Sequence, residues 1–275
     1  MTAIAELPDL ENLTLETLTV ERANGVAVVT LSRPPVNAVN RKMQLEIVAT
    51  FDALSQDRSI NSVVLAAAGE KAFCAGIDLR ETAAKRAVSD DAPIEATLDA
   101  GWEWRRAQAA IRHCSVPVIA AVEGPAIGAG FGLVGVCDLI IASESASFAL
   151  TEINVGLLGG ASKAIRMLGP FKARMMMFTG TFQSAADFHR LGAVEEVVEP
   201  GRALARAREI GELMASKSPL ALRLAKESIL RLEGEELEAN YRTEQDYTTR
   251  LRGFDDSAEA MQAFIEKREP VWAWR

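Results

Sequence analysis

Two glycine-containing segments hold the residues best placed for chemistry: KAFCAGIDLRE, residues 71–81, and EGPAIGAGFGLVGVCD, residues 123–138. Each follows an apolar run that reads as a strand and precedes a run that reads as a helix. Glycine permits the sharp turn between them. The turn leaves the first backbone N–H groups of the helix without intrahelical acceptors, at the positive end of its dipole. Such a spot suits an anion, or an oxyanion that develops during a reaction. On these residues alone the plainer alternative, glycines that merely allow tight turns and close packing, is the commoner one.

Other chemistries find less support. His113 and His189 are the only histidines, and neither lies in a serine or cysteine nucleophile motif. His113 precedes Cys114 directly, and adjacent helix positions do not face each other. No HExxH, CxxC or calcium-loop pattern occurs, so no metal site is expected. Gly130, Gly132 and Gly135 fit G-x-G-x-x-G, but seven residues separate Val122 from Gly130 and a new strand begins at Asp138. Too little chain remains for the long helix of a dinucleotide unit. Glu152, taken alone, is a carboxylate ahead of an apolar segment, commonly a surface group or helix-end partner.

The elements that must position these segments follow from periodicity. Residues 15–23 and 26–32 are β-rich runs around Asn24-Gly25, a hairpin signal. Residues 40–56 repeat apolar side chains at helical spacing, and 62–67 is a short apolar strand, giving the order ββαβ. The polar stretch 81–97 reads as a surface helix or loop, and a helix follows near 98–113. Strands are expected at 116–122, 138–143 and 193–199, and helices at 203–217, 219–232 and 235–252. Trp102 and Trp104, two apart, face different sides of their helix and receive no role; Met175, Met176 and Met177 read as core or interface filler.

Composition narrows the partners. The 275 residues are 49% hydrophobic and 25% charged, enough apolar surface for a globular core. A formal net charge of −8 disfavours nucleic acid, although a few local cations could still hold a phosphate. Three widely spaced cysteines, Cys74, Cys114 and Cys137, fit a reducing, cytoplasmic setting. No export signal is read at the start, and the uncharged stretch from Gly124 to Cys137 is too short and glycine-interrupted to span a membrane.

Taken in order, KAFCAGIDL and then VPVIAAVEGPAIGAGFGLVGVCDLIIASESASFALTEINVGLLGG resemble the signature of the enoyl-CoA hydratase/isomerase (crotonase) family. VAVVTLSRPPVNAVN and AMQAFIEKREPVW extend the likeness to both ends. The resemblance implies an α/β fold: a crotonase-like spiral of ββα units over residues 1–200 carrying an acyl-CoA site, then a helical oligomerisation region over 201–275. It implies a homotrimer or homohexamer. It places the two oxyanion-hole N–H groups on Ile77 and Ala129 and a proton-relaying carboxylate on Glu152. Val36, Ala75, Ile77, Asp78, Leu79 and Arg80 would lie along coenzyme A or its entrance. Lys267, read from its own surroundings, either pairs with solvent-facing carboxylates, the commoner case, or reaches a CoA phosphate, of its own or a neighbouring subunit. No cofactor is bound permanently; coenzyme A comes as part of the substrate.

The sequence departs from the hydratase pattern at Gly132, where a second glutamate is expected. Hydration uses both carboxylates, whereas one carboxylate still moves a proton between two carbons. Enoyl-CoA isomerisation is therefore the first choice and hydration the second. The alternatives are a hydroxyacyl-CoA hydratase-lyase drawing on Tyr241 or Tyr247, or a CoA-binding scaffold with little turnover.

Overall fold

The computed structural model describes residues 10–83, 94–95, 99, 101–233 and 236–273. Its first turn follows directly from the sequence: Asn24 and Gly25 both take positive φ (53° and 77°) and close β1 (Leu18–Ala23) against β2 (Val26–Leu31). Helix α1 (Arg41–Gln56) starts where the Asn40 side chain accepts from the Met43 N–H at 3.0 Å. It returns the chain to β3 (Ser62–Ala67), which pairs parallel with β2. That closes the first ββα unit.

Strands β4 (Val118–Val122), β6 (Leu139–Ser143) and β9 (Glu196–Val198) extend the sheet in parallel, giving the order β1-β2-β3-β4-β6-β9. A smaller sheet joins β5 (Ala126–Ile127), β7 (Ser147–Ala149) and β8 (Gln183–Ser184). After α1 the helices are α2 (Leu79–Ala83), α3 (Trp102–Arg112), α4 (Ala129–Val134), α5 (Ala161–Thr179), α6 (Ala185–Arg190), α7 (Ala203–Ala215), α8 (Pro219–Glu233), α9 (Glu236–Leu251) and α10 (Asp255–Glu266).

Both faces of the main sheet are buried, which is why its strands read as unbroken apolar runs. Ala27, Val29, Val63, Leu65 and Val118 face one core with Met43, Phe51 and Ile111 of α1 and α3. The alternate residues Val28, Val64, Ala66 and Ile119 face Ala203 and Ala207 of α7. The helical stretch assigned to 201–275 thus begins with a helix that closes the core. On α8, Lys226 is buried and donates to the Val116 carbonyl (3.0 Å) and to Asp138 Oδ2 (2.7 Å), which also accepts from the Val118 N–H (2.7 Å). This network fixes the starts of β4 and β6, the two strands flanking the glycine-rich segment.

Helix α10 lies within the stretch 201–275 read as helical, although no separate helix was placed at Asp255–Glu266. The stretch 81–97 lies mostly outside the described residues. No described helix is long and apolar enough to cross a membrane.

Candidate active site

The two glycine segments meet edge to edge. Ile127 N–H donates to the Cys74 carbonyl at 2.9 Å, and a Cβ on Gly130 would collide with that same carbonyl. Only glycine permits this approach. On its other side the first segment bridges to Val39: Val39 N–H donates to Gly76 O and Asp78 N–H to Val39 O, both at 2.8 Å. A parallel bridge that uses the Gly76 carbonyl and the Asp78 N–H leaves the N–H of Ile77 pointing the opposite way, toward residues 126–128. Ala129 opens helix α4, so its N–H has no intrahelical acceptor. Each of the two is preceded by a glycine at positive φ, Gly76 at 112° and Gly128 at 54°. These turns aim both N–H groups at one region.

Glu152 stands at the start of a 3-10 helix (Glu152–Val155) that Gly156 ends in the left-handed conformation. The Ser257 hydroxyl of α10 donates to the Gly156 carbonyl at 2.6 Å, so this helix helps to hold the carboxylate in place. A Cβ built on Gly128 would lie 3.1 Å from Glu152 Oε1, and one on Gly159 would lie 3.5 Å from it. The carboxylate therefore abuts the turn that presents Ala129. Its Oε2 is buried without a hydrogen-bond partner among the described residues. Burial, with added repulsion from Glu244, pushes the Glu152 pKa up to about 7. Glu244 itself caps α5, accepting from the Ala161 and Ser162 N–H groups at 2.9 and 2.5 Å.

A carboxylate poised near neutrality can take up and release a proton at working pH. If its ionised form starts the reaction, kcat/KM should rise about tenfold per pH unit below pH 7 and level off above it. A pH–rate profile flat between pH 5 and 8 would exclude Glu152 as the base.

Gly132, where a second carboxylate would stand, faces a polar wall. A Cβ there would lie 3.4 Å from Gln108 Oε1 and 3.5 Å from the Trp104 ring. Trp104 Nε1 donates to the Tyr241 hydroxyl at 2.7 Å, and burial holds that phenol well above its ordinary pKa. Trp104, given no role from sequence, thus belongs to the site's surroundings; its i, i+4 spacing with Gln108 on one helix face was the available signal. Tyr241 joins the site, whereas Tyr247 is exposed.

The remaining candidates divide. Val36 accepts from the Ala75 N–H at 3.0 Å, so these two are neighbours of Ile77. Asp78 bonds Arg33 at 2.6 Å; burial would raise its pKa, but Arg33 and the Arg80 and Glu81 N–H groups outweigh that and hold it below the usual range. Leu79 and Arg80 open α2 beside it. Lys267 ends α10 at φ 55°, exposed, with no hydrogen bond to these residues. All three cysteines are buried, and burial pushes the Cys74 thiol up to about 12, which removes it as a nucleophile. No cluster of metal ligands occurs among the described residues.

Comparison with known proteins agrees with this geometry. A family model described as Enoyl-CoA hydratase/isomerase matches residues 21–275. A probable enoyl-CoA hydratase of Rhizobium meliloti is 36% identical over 267 residues, covering 96% of this chain and 100% of that protein. The (7aS)-7a-methyl-1,5-dioxo-2,3,5,6,7,7a-hexahydro-1H-indene-carboxyl-CoA hydrolase of Mycobacterium tuberculosis is 33% identical, covering 88% of this chain and 96% of that protein. The crystal structure of carnitinyl-CoA hydratase from Mycobacterium avium superposes with a TM-score of 0.83 at 31% identity, covering 95% of this chain and 100% of that one.

Proposed function

The chain belongs to the enoyl-CoA hydratase/isomerase family, and from that premise we propose that it shifts the double bond of an enoyl-CoA, with Glu152 as its single proton relay. Relatives named for hydration and for hydrolysis share the fold, so the reaction must be argued from the site. The observation that carries the reading is a buried, unpartnered carboxylate oxygen on Glu152, together with a position, Gly132, that offers no second carboxylate. Glu244 does not fill that place, since both its oxygens are engaged in capping α5.

In this mechanism the thioester oxygen of a 3-enoyl-CoA accepts from the Ile77 and Ala129 N–H groups. Glu152 takes a proton from C2, the electrons pass into a dienolate whose oxyanion the two N–H groups hold, and the same carboxyl returns the proton at C4. The product is the 2-enoyl-CoA, with no change of mass. Oxyanion donors of this kind are worth roughly 3 to 4 kcal/mol each in a water-excluded site.

A hydratase-lyase is the second reading, favoured by the buried Tyr241 hydroxyl that bonds Trp104, the side chain facing Gly132. Incubation with 3-enoyl, 2-enoyl and 3-hydroxyacyl-CoA series, followed by chromatography and mass measurement, separates the two. Isomers of unchanged mass are expected from the 3-enoyl series. Water gain or carbon–carbon cleavage with no isomer would overturn the isomerase assignment.

A further inference from the structure

Behind the wall of Trp104, Gln108 and Tyr241 lies a cavity of about 230 Å³ between α3, α5 and α9. Gln108 lines it and also lies 3.4 Å from where a Cβ on Gly132 would stand; Tyr241 lines it and bonds Trp104, the other side chain at that position. These side chains alone separate the cavity from Gly132 on helix α4, which Ala129 opens.

The cavity holds an amine that the mechanism leaves unused, and burial pulls its pKa down to about 7. Lys163 is only 2% exposed, lines the cavity and sets its ammonium 2.9 Å from the centre of the Tyr241 ring. Its stem is fixed where α5 crosses Gly135, since a Cβ on Gly135 would touch Lys163 Cβ at 2.8 Å. The other cations of the cavity have partners: Arg112 pairs with Glu233 at 3.0 Å, Arg105 with Asp99, and Arg106 lies 3.9 Å from Asp52. Lys163 has no carboxylate within 4 Å among the described residues. Glu238 and Glu244 act on it from farther away, and these are committed to His113 and to the cap of α5. A buried ammonium without a counter-ion is costly, and ring contact alone offsets little of that cost.

The Tyr241 hydroxyl beside it points to an acceptor-rich ligand: its oxygen accepts from Trp104 Nε1, which leaves its own proton to donate. Gln108 Nε2 donates one N–H to the Trp104 carbonyl at 3.4 Å, so a ligand acceptor would meet its second N–H and not its oxygen. We propose that the acyl group of the substrate ends in a carboxylate, which the Tyr241 hydroxyl and the Gln108 amide hydrogen-bond and which Lys163 neutralises. The substrate class is then the monothioester of a dicarboxylic acid. This inference rests on the acyl-CoA reading above.

Saturated thioesters that cannot react provide the test. The full chain is titrated in a calorimeter with glutaryl-, adipyl- and pimelyl-CoA, each against the methyl-terminated acyl-CoA of equal length. At least one carboxylated member should bind ten or more times tighter than its match. Lys163→Met, which keeps the unbranched stem against Gly135, should cut that ratio below two. Tyr241→Phe, which removes one hydroxyl, should lower it several-fold and carries the test should Lys163→Met fail to fold. Equal affinities within every pair, or a preference that survives both substitutions, would overturn the carboxylate assignment alone. No heat with any thioester would instead sink the acyl-CoA reading on which it stands.

Discussion

Glu152→Gln should lower turnover on the best enoyl-CoA substrate by roughly 100- to 10,000-fold, the usual worth of a positioned general base. Glutamine keeps the shape, so acyl-CoA binding should persist, and the loss should fall on kcat rather than on KM. The same substitution has an opposite effect on stability. The Glu152 carboxyl titrates near 7 in the folded chain against its ordinary value of 4.5, because burial penalises the charged form. A raised carboxyl pKa means that the folded chain holds the proton more tightly than the unfolded one. Its contribution is therefore fully present below about pH 4.5 and is lost as pH rises through 7, a difference of roughly 3 kcal/mol. Glu152→Gln carries no such charge, so at pH 8 its Tm should exceed that of the wild type, while at pH 4 the two should converge. A variant that is both inactive and less stable at pH 8 would mean a structural carboxylate rather than a base held at a cost. Retained turnover would move the proton relay to another group, with Tyr241 next.

That trade of stability for chemistry also explains which parts of the site the sequence disclosed. The two glycine segments were legible because their signal is local, a turn that frees N–H groups within a few adjacent residues; Ile77 and Ala129 within them came from the family resemblance. The ββα unit was legible for the same reason, through Asn24-Gly25 and the apolar runs along 26–31 and 62–67. Glu152 was not legible by itself. Nothing near it in the chain says that it is buried; its environment comes from Gly128, Gly159 and Ser257, up to a hundred residues away. The wall at Gly132 is more distributed still, since Trp104, Gln108 and Tyr241 meet only through the packing of α3 and α9. Trp104, judged by its own helix, received no role, because its hydrogen-bond partner Tyr241 lies 137 residues along the chain.

Gly132 also bears on how a second carboxylate can be missing here without a change of fold. A Cβ at this position would meet Gln108 and Trp104 at ordinary contact distances, not at a collision, and Gly132 is not one of the glycines at positive φ. Backbone geometry therefore does not demand glycine here, in contrast to Gly128 and Gly130. A longer acid side chain would have to displace Trp104 or Gln108, so the packing at this position disfavours a second carboxylate.

Ala129→Pro isolates the other half of the mechanism. Proline lacks the N–H that is assigned to the oxyanion, yet the first position of a helix is where it is best tolerated, because no intrahelical bond is lost. The preceding residue is Gly128, which lacks the Cβ that usually conflicts with a following proline ring. The fold should thus survive, with a circular dichroism spectrum unchanged and Tm close to wild type. Turnover should fall about 100- to 1,000-fold, the range seen when one oxyanion donor is removed. The proline ring also occupies the space in front of the lost hydrogen, so acyl-CoA binding should weaken as well, whereas free coenzyme A, which has no carbonyl to place there, should bind as before. Glu152→Gln and Ala129→Pro act on the same dienolate, one on the proton and one on the oxygen, so their combined loss should be less than the product of the two. Near-wild-type turnover in Ala129→Pro would show that the thioester oxygen lies elsewhere, and with it the assignment of Ile77 and Ala129 as its donors would fail.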